Sequence, residues 1–279
     1  MRRALLIPLS LLALAACDRS TPEPEPEPEP AQQLPEGEDL TLSFTLAAGQ
    51  SPLSCGAPAD IGGATFALTD ARFFVHDVRT VDSAGAEHPV TLVAEEPWQS
   101  AEVALVDLAG PGCEGADERR NARVNGVANN DDVAMIRFKV GVPFAVNHSD
   151  PSEAHPPLDT TAMHWGWRGG YQFVRIDGAW GDGTASMHFG STRCEGEMRN
   201  ITSCARPCVA DVEIATTSLE PTIVLDVAAL LADAPARTNC MGEPEQPGCD
   251  AVLAGLNLDA ETCTSVGPAV AFRAFAPTP

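Results

Sequence analysis

"VAMIRFKVGV" (Val133–Val142) puts Ala134, Ile136, Phe138 and Val140 on one side of an extended chain and Met135, Arg137 and Lys139 on the other. A repeat of two is the period of a β-strand, and an apolar face opposite a charged one marks a strand with one side in a core. The same alternation recurs on either side. "LTLSFTL" (Leu40–Leu46) aligns Leu40, Leu42, Phe44 and Leu46. "ATFALTDARFFVHDVRTV" (Ala64–Val81) reads as one or two strands, and "PVTLVA", "SAEVALVDLA", "GYQFVRIDGAW", "ASMHFGST", "CVADVEIAT", "PTIVLDV" and "AVAFRAFA" as further ones. Proline, glycine, asparagine and aspartate separate the runs. Helical signals are confined to "DVAALLADA" (226–234) and "CDAVLAGLNLD" (249–259). There is no internal repeat. The pattern predicts an all-β domain: an antiparallel β-sandwich with long disulfide-braced loops and one or two short helices.

The first residues predict export. "MRRALLIPLSLLALAAC" carries two arginines, an apolar run and small residues before Cys17. This is a signal-peptide pattern, too short to span a bilayer. "LAAC" reads as a lipobox, with Cys17 as the acylated residue and lipid as the only link to a membrane. Residues 1–17 are therefore expected to be a lipoprotein signal peptide and lipobox. Residues 18–37, with their repeated Pro-Glu, are expected to be a disordered linker. Such a segment favours extended polyproline II, and at about 3.1 Å per residue it would reach roughly 60 Å. Residues 38–279 are expected to form one domain, held in the periplasm or at the cell surface.

The chain is strongly acidic, with a formal net charge of −22. Loss of Arg2 and Arg3 with the signal peptide makes it −24, from 15 basic and 39 acidic residues. Such a charge argues against nucleic acid and anionic lipid headgroups as partners. Without Cys17, eight cysteines remain: Cys55, Cys113, Cys194, Cys204, Cys208, Cys240, Cys249 and Cys263. An even number in an exported chain reads as up to four disulfides, with connectivity open.

Hydrolase, P-loop and dinucleotide signatures are absent, as are C-x-x-C-H and H-E-x-x-H. The chemistry-bearing residues are concentrated elsewhere. "MHWGWRGGY" (Met163–Tyr171) holds two of four tryptophans and the only tyrosine, in a chain with 5% aromatic residues. His76, His148, His164 and His188 lie in or beside predicted strands, near Met163 and Met187. Imidazole with thioether is a ligand set for copper. Each residue also has an ordinary reading as hydrogen-bonded or packed structure. Trp165 and Trp167, two apart, are expected on one face of a strand.

In order along the chain, "RFFVHDVRTVDSAG", "WQSAEVALVDL", "GC", "IRFKVGVPFAVNHSDP", "PPLDTTAMHWGWRGGYQFVRIDG", "HFGSTRC", "IVLDVAALL", "CM" and "FRAF" resemble the methanobactin-associated copper-binding protein family. This is the MbnP-like domain, the four-Cys partner of the metallo-mystery pair. The resemblance runs from about Leu40 to Phe275. It implies an exported copper-binding protein, paired with a di-haem c-type protein like cytochrome c peroxidase that oxidises a tryptophan to kynurenine. By that resemblance His76, His148 and His188 match the family's histidines, and Trp165 and Trp167 its W-x-W. Met163 and His164 are further candidate ligands, and Trp165 is the preferred redox target because it adjoins them. The chain departs from the pattern at "TRC" (192–194), where a central glycine is expected. It is expected to be a substrate of its partner, not an enzyme. The rival reading is a metal-free structural or adhesive domain on a stalk.

Overall fold

A computed structural model describes residues 36–110, 113 and 120–276. The predicted signal peptide, Cys17 and residues 18–35 of the predicted linker lie outside these residues. The described part is a β-sandwich. One sheet runs Phe272–Ala274, Thr222–Asp226, Glu38–Ala48, Arg123–Ala128, Thr91–Leu92 in spatial order. The larger runs Ala210–Ala215, Met135–Val140, Ala64–Val81, Val174–Trp180, Gly183–Phe189, Thr238–Cys240. Phe44 and Phe272 from the first sheet meet Phe73 and Phe138 from the second edge to face, with ring centroids 5.3–6.0 Å apart. Such T-shaped contacts satisfy the quadrupoles of neighbouring rings while burying their area.

The alternation foretold this packing with two corrections. Ile136, Phe138 and Val140 are buried, but Ala134 is exposed and Val133 takes the interior place, because the strand begins only at Met135. The sheets are also mixed. Glu38–Ala48 pairs in parallel with Thr222–Asp226, and Gly183–Phe189 with Thr238–Cys240. Alternation reports a face and says nothing of direction, so pairing sense was not readable. Both expected helices form, at Val227–Leu230 and Cys249–Gly255, the first capped by Asp226. A third single turn, Phe144–Asn147, is additional. Among the described residues no helix is long and apolar enough to cross a membrane.

The 18-residue strand Ala64–Val81 organises the site. It slips register twice against its neighbours, once opposite Asp177/Gly178 and once between His76 and Arg79, where Asp77 adopts φ 49°. A bulge turns the following side chains and raises local twist. The strand's middle is buried on both faces. Phe73 and Val75 enter the main core, while Phe74 joins a second cluster with Val103, Leu105, Met163, Tyr171 and Phe173. Residues from the 142–173 segment thus cover the outer face of the larger sheet.

All eight cysteines are paired: Cys55–Cys113, Cys194–Cys204, Cys208–Cys263 and Cys240–Cys249. Strands Thr192–Glu197 and Asn200–Arg206 form a separate two-stranded hairpin. Arg206, 1% exposed, anchors its end: Nη1 donates to the carbonyls of Ala260 (2.8 Å) and Glu261, and Nη2 to that of Gly242 (2.7 Å). Arg206→Met keeps the bulk but strands these carbonyls. It should cost roughly 2 kcal/mol, seen as a lower urea midpoint with unchanged slope. A midpoint equal to that of the unmutated protein would show the anchor to be dispensable.

Candidate metal centre

The segment carrying His148 is fixed by its neighbour. Asn147 is fully buried, accepts from the Tyr171 backbone N–H (3.0 Å) and donates to Ser191 Oγ (3.3 Å). The turn after Trp167 approaches so closely that a Cβ on Gly170 would lie 2.4 Å from the Asn147 carbonyl, and Gly170 has φ 72°. Only glycine suits that place.

This framework sets the state of His148. Its Nδ1 lies 3.2 Å from the Trp167 carbonyl, which can only accept, so Nδ1 carries the proton. Nε2 then holds the lone pair, and the Asn147 amide nitrogen stands 3.3 Å from it as a donor. A backbone-held Nδ1–H with the lone pair on Nε2 is the usual preparation of a metal-ligating histidine, and a metal here would displace the long Asn147 contact. His76 is prepared in the same way, with Nδ1 3.0 Å from the Gly141 carbonyl. His164 Nε2 is buried and has no hydrogen-bond partner among the described residues.

His148 and His164 line one cavity of about 390 Å³ with Asp150, Trp167, Met198 and Arg199. Burial holds both imidazoles below the ordinary histidine range. The bond to Trp167 opposes this at His148; at His164 the Asp150 charge opposes it and His148 reinforces it. Burial also lowers His76. Asp150 is held ionised chiefly by its bonds to Ser152, which leaves an anion beside the two neutral rings. Neutral imidazoles, a thioether and a nearby carboxylate suit a borderline or soft cation.

Other expected members stand elsewhere. Met163 is fully buried in the second apolar cluster and packs as core. His188 Nε2 is 2.8 Å from Asp177, in a network where Arg175 also meets Asp177 (3.2 Å) and Asp70 (3.0 Å). Its Nε2 is thus already taken up by a carboxylate within an ion-pair network. Arg72, Arg175 and His188 form one cross-strand row, and His76 lies four residues beyond it. That spacing is roughly 13 Å along and 10 Å across the strands, too far for one ion. His76, His148 and His188 therefore do not converge; His148 shares a cavity with His164 instead.

Trp165 and Trp167 do not share a face. Gly166, at φ 126°, turns the chain between them. Trp167 faces the histidine cavity, while Trp165 packs against Gly169 and Gly190 and lines another cavity with Arg193, Met241 and Glu243. Trp180 is buried, with Nε1 3.0 Å from the Ile61 carbonyl. Met198 escaped notice in the sequence. It sits in the hairpin turn, 64% exposed, and the available signal was a lone apolar side chain in the polar stretch "EGEMRN" (195–200). The Cys194–Cys204 disulfide also lies unexpectedly close, with Cys204 Sγ 3.5 Å from His148 Nε2.

The family model described as MbnP matches residues 37–249. Among solved structures, MbnP from Methylosinus trichosporium is similar over 86% of this chain and 99% of its own, at 25% identity and TM-score 0.74. No curated protein matches the chain.

Proposed function

Because the chain belongs to the MbnP family, we propose that it is an exported copper-binding lipoprotein. In this reading His148 and His164 hold the metal, and a di-haem c-type partner oxidises Trp167. The observation that carries it is the pair of neutral imidazoles in one cavity, one of them with a buried Nε2 that has no partner among the described residues. An unpartnered buried nitrogen is costly in a purely structural domain, and metal coordination removes the cost. Met198 adds a soft donor at the rim. Bound copper would supply a one-electron couple beside the indole.

Trp167 in this account is a substrate, and the chain is not itself the catalyst. Two equivalents of peroxide, with the di-haem partner as catalyst, each supply one oxygen of N-formylkynurenine, and each leaves its second oxygen as water. Hydrolysis then releases the formyl carbon as formate. The product gains one oxygen and loses one carbon relative to tryptophan. Four disulfides support passage through an oxidising compartment. Cys17 would carry the lipid. Metal analysis and intact mass of protein made with and without the partner test the whole reading; no copper and an unmodified mass in both would end it.

The pH dependence follows from the lowered histidines. A ligand must be neutral, and protons compete only once pH falls below its pKa. Copper affinity should therefore stay level from pH 8 to about 6.5, the ordinary histidine value, and fall below that. A competition titration that weakens steadily between pH 8 and 7 would contradict it.

A further inference from the structure

We infer that the Cys194–Cys204 disulfide is a redox gate over a second metal site, formed by His148 Nε2 and the two cysteine sulfurs once a dithiol opens the bond. The inference goes beyond the imidazole centre and shares His148 with it. Three ligand atoms, from His148, Cys194 and Cys204, already lie within 4.8 Å of one another. While the sulfurs are bonded to each other they are poor donors; as thiolates they are strong ones for Zn(II), Co(II) and Cu(I).

The fold keeps the trio together after reduction. Cys194 and Cys204 face each other directly across the hairpin, and flanking pairs Thr192–Arg206 and Glu195–Ser203 hold the register. The hairpin belongs to neither large sheet, so opening its bond leaves the sandwich's ladders untouched. His148 is held from the other side through Trp167 and by its neighbour Asn147. Access favours this bond over two others. Cys194 lines a surface cavity and Cys204 is half-buried, whereas Cys208, Cys263, Cys240 and Cys249 are at most 1% exposed. Thiolate attack needs a reachable sulfur.

The chemistry balances. The dithiol gives two electrons and two protons to the disulfide and closes into its own disulfide, while the Cys194–Cys204 bond breaks to two thiols. A divalent ion then displaces both thiol protons, forming two metal–sulfur bonds and one metal–nitrogen bond. A small ligand or water would complete a tetrahedral set.

Cobalt(II) is the probe. After mild dithiol treatment and removal of the reagent, the full chain should bind about one cobalt with a thiolate-to-metal charge-transfer band that the oxidised protein lacks. Cys194→Ser with Cys204→Ser should abolish the band, and His148→Ala should weaken cobalt binding by roughly tenfold or more. In the unmutated reduced protein, Zn(II) should shield Cys194 and Cys204 from alkylation in peptide maps, a readout independent of how the variants fold. No band with equal alkylation in both conditions, or a band that survives the double substitution, would overturn the gate. Copper loading of the oxidised protein reports the imidazole centre separately, so either idea can fail alone.

Discussion

His148→Ala lowers copper affinity by on the order of 100-fold or more, whereas His188→Ala leaves it nearly unchanged. The magnitude follows from what lesser changes do: loss of an outer partner of a metal ligand already costs about 10- to 100-fold, and in the proposed reading His148 is the ligand itself. Its Nδ1–H is held by Trp167, which leaves the lone pair on Nε2, and the residue lines a cavity with His164. His188 has its Nε2 occupied by Asp177, which also pairs with Arg175. The substitution leaves Asn147, the buried residue that fixes the turn, in place. Competition against a copper chelator checks the pair. Equal losses from His148→Ala and His188→Ala would return the site to the three separate strand positions of the family resemblance.

Trp167→Phe should abolish kynurenine formation, and Trp165→Phe should leave it intact. The sequence favours Trp165, which adjoins Met163 and His164. The turn at Gly166 reverses that preference, since it sends Trp165 to another cavity and Trp167 to the histidines. Arg168 lies over the Trp167 ring, 4.9 Å from its centroid, a contact that holds the neutral indole in place and that its oxidation must overcome. Phenylalanine keeps most of the apolar area, so the fold should persist. Peptide mass spectrometry after exposure to the di-haem partner and peroxide reads the outcome. Modification at Trp165, Trp98 or Trp180 would move the target; no modification with an active partner would remove the redox role.

The fold was legible because alternation is a local signal. Leu40, Leu42, Phe44 and Leu46 face inward as the pattern requires, and Asp226 caps the helix where "DVAALL" suggests one. Parallel pairing was not legible, since it depends on which strands meet. The site divides the same way. Residue types pointed to histidine, methionine and tryptophan, and two of the expected histidines do line one cavity. Met163 and His188 stand elsewhere because burial and ion pairing are set by distant segments: Met163 packs with Phe74 and Tyr171, and His188 pairs across strands with Asp177. Met198 and the Cys194–Cys204 bond come to His148 only through the hairpin's fold, which no spacing in the chain encodes.

A copper-edge anomalous difference map of the copper-loaded protein tests the central claim most directly. The account predicts one strong peak in the cavity between Trp167 and Met198, about 2.0 Å from His148 Nε2 and bonded also to His164. A peak at the His188–Asp177 pair, or copper in the crystal with none in that cavity, would contradict it.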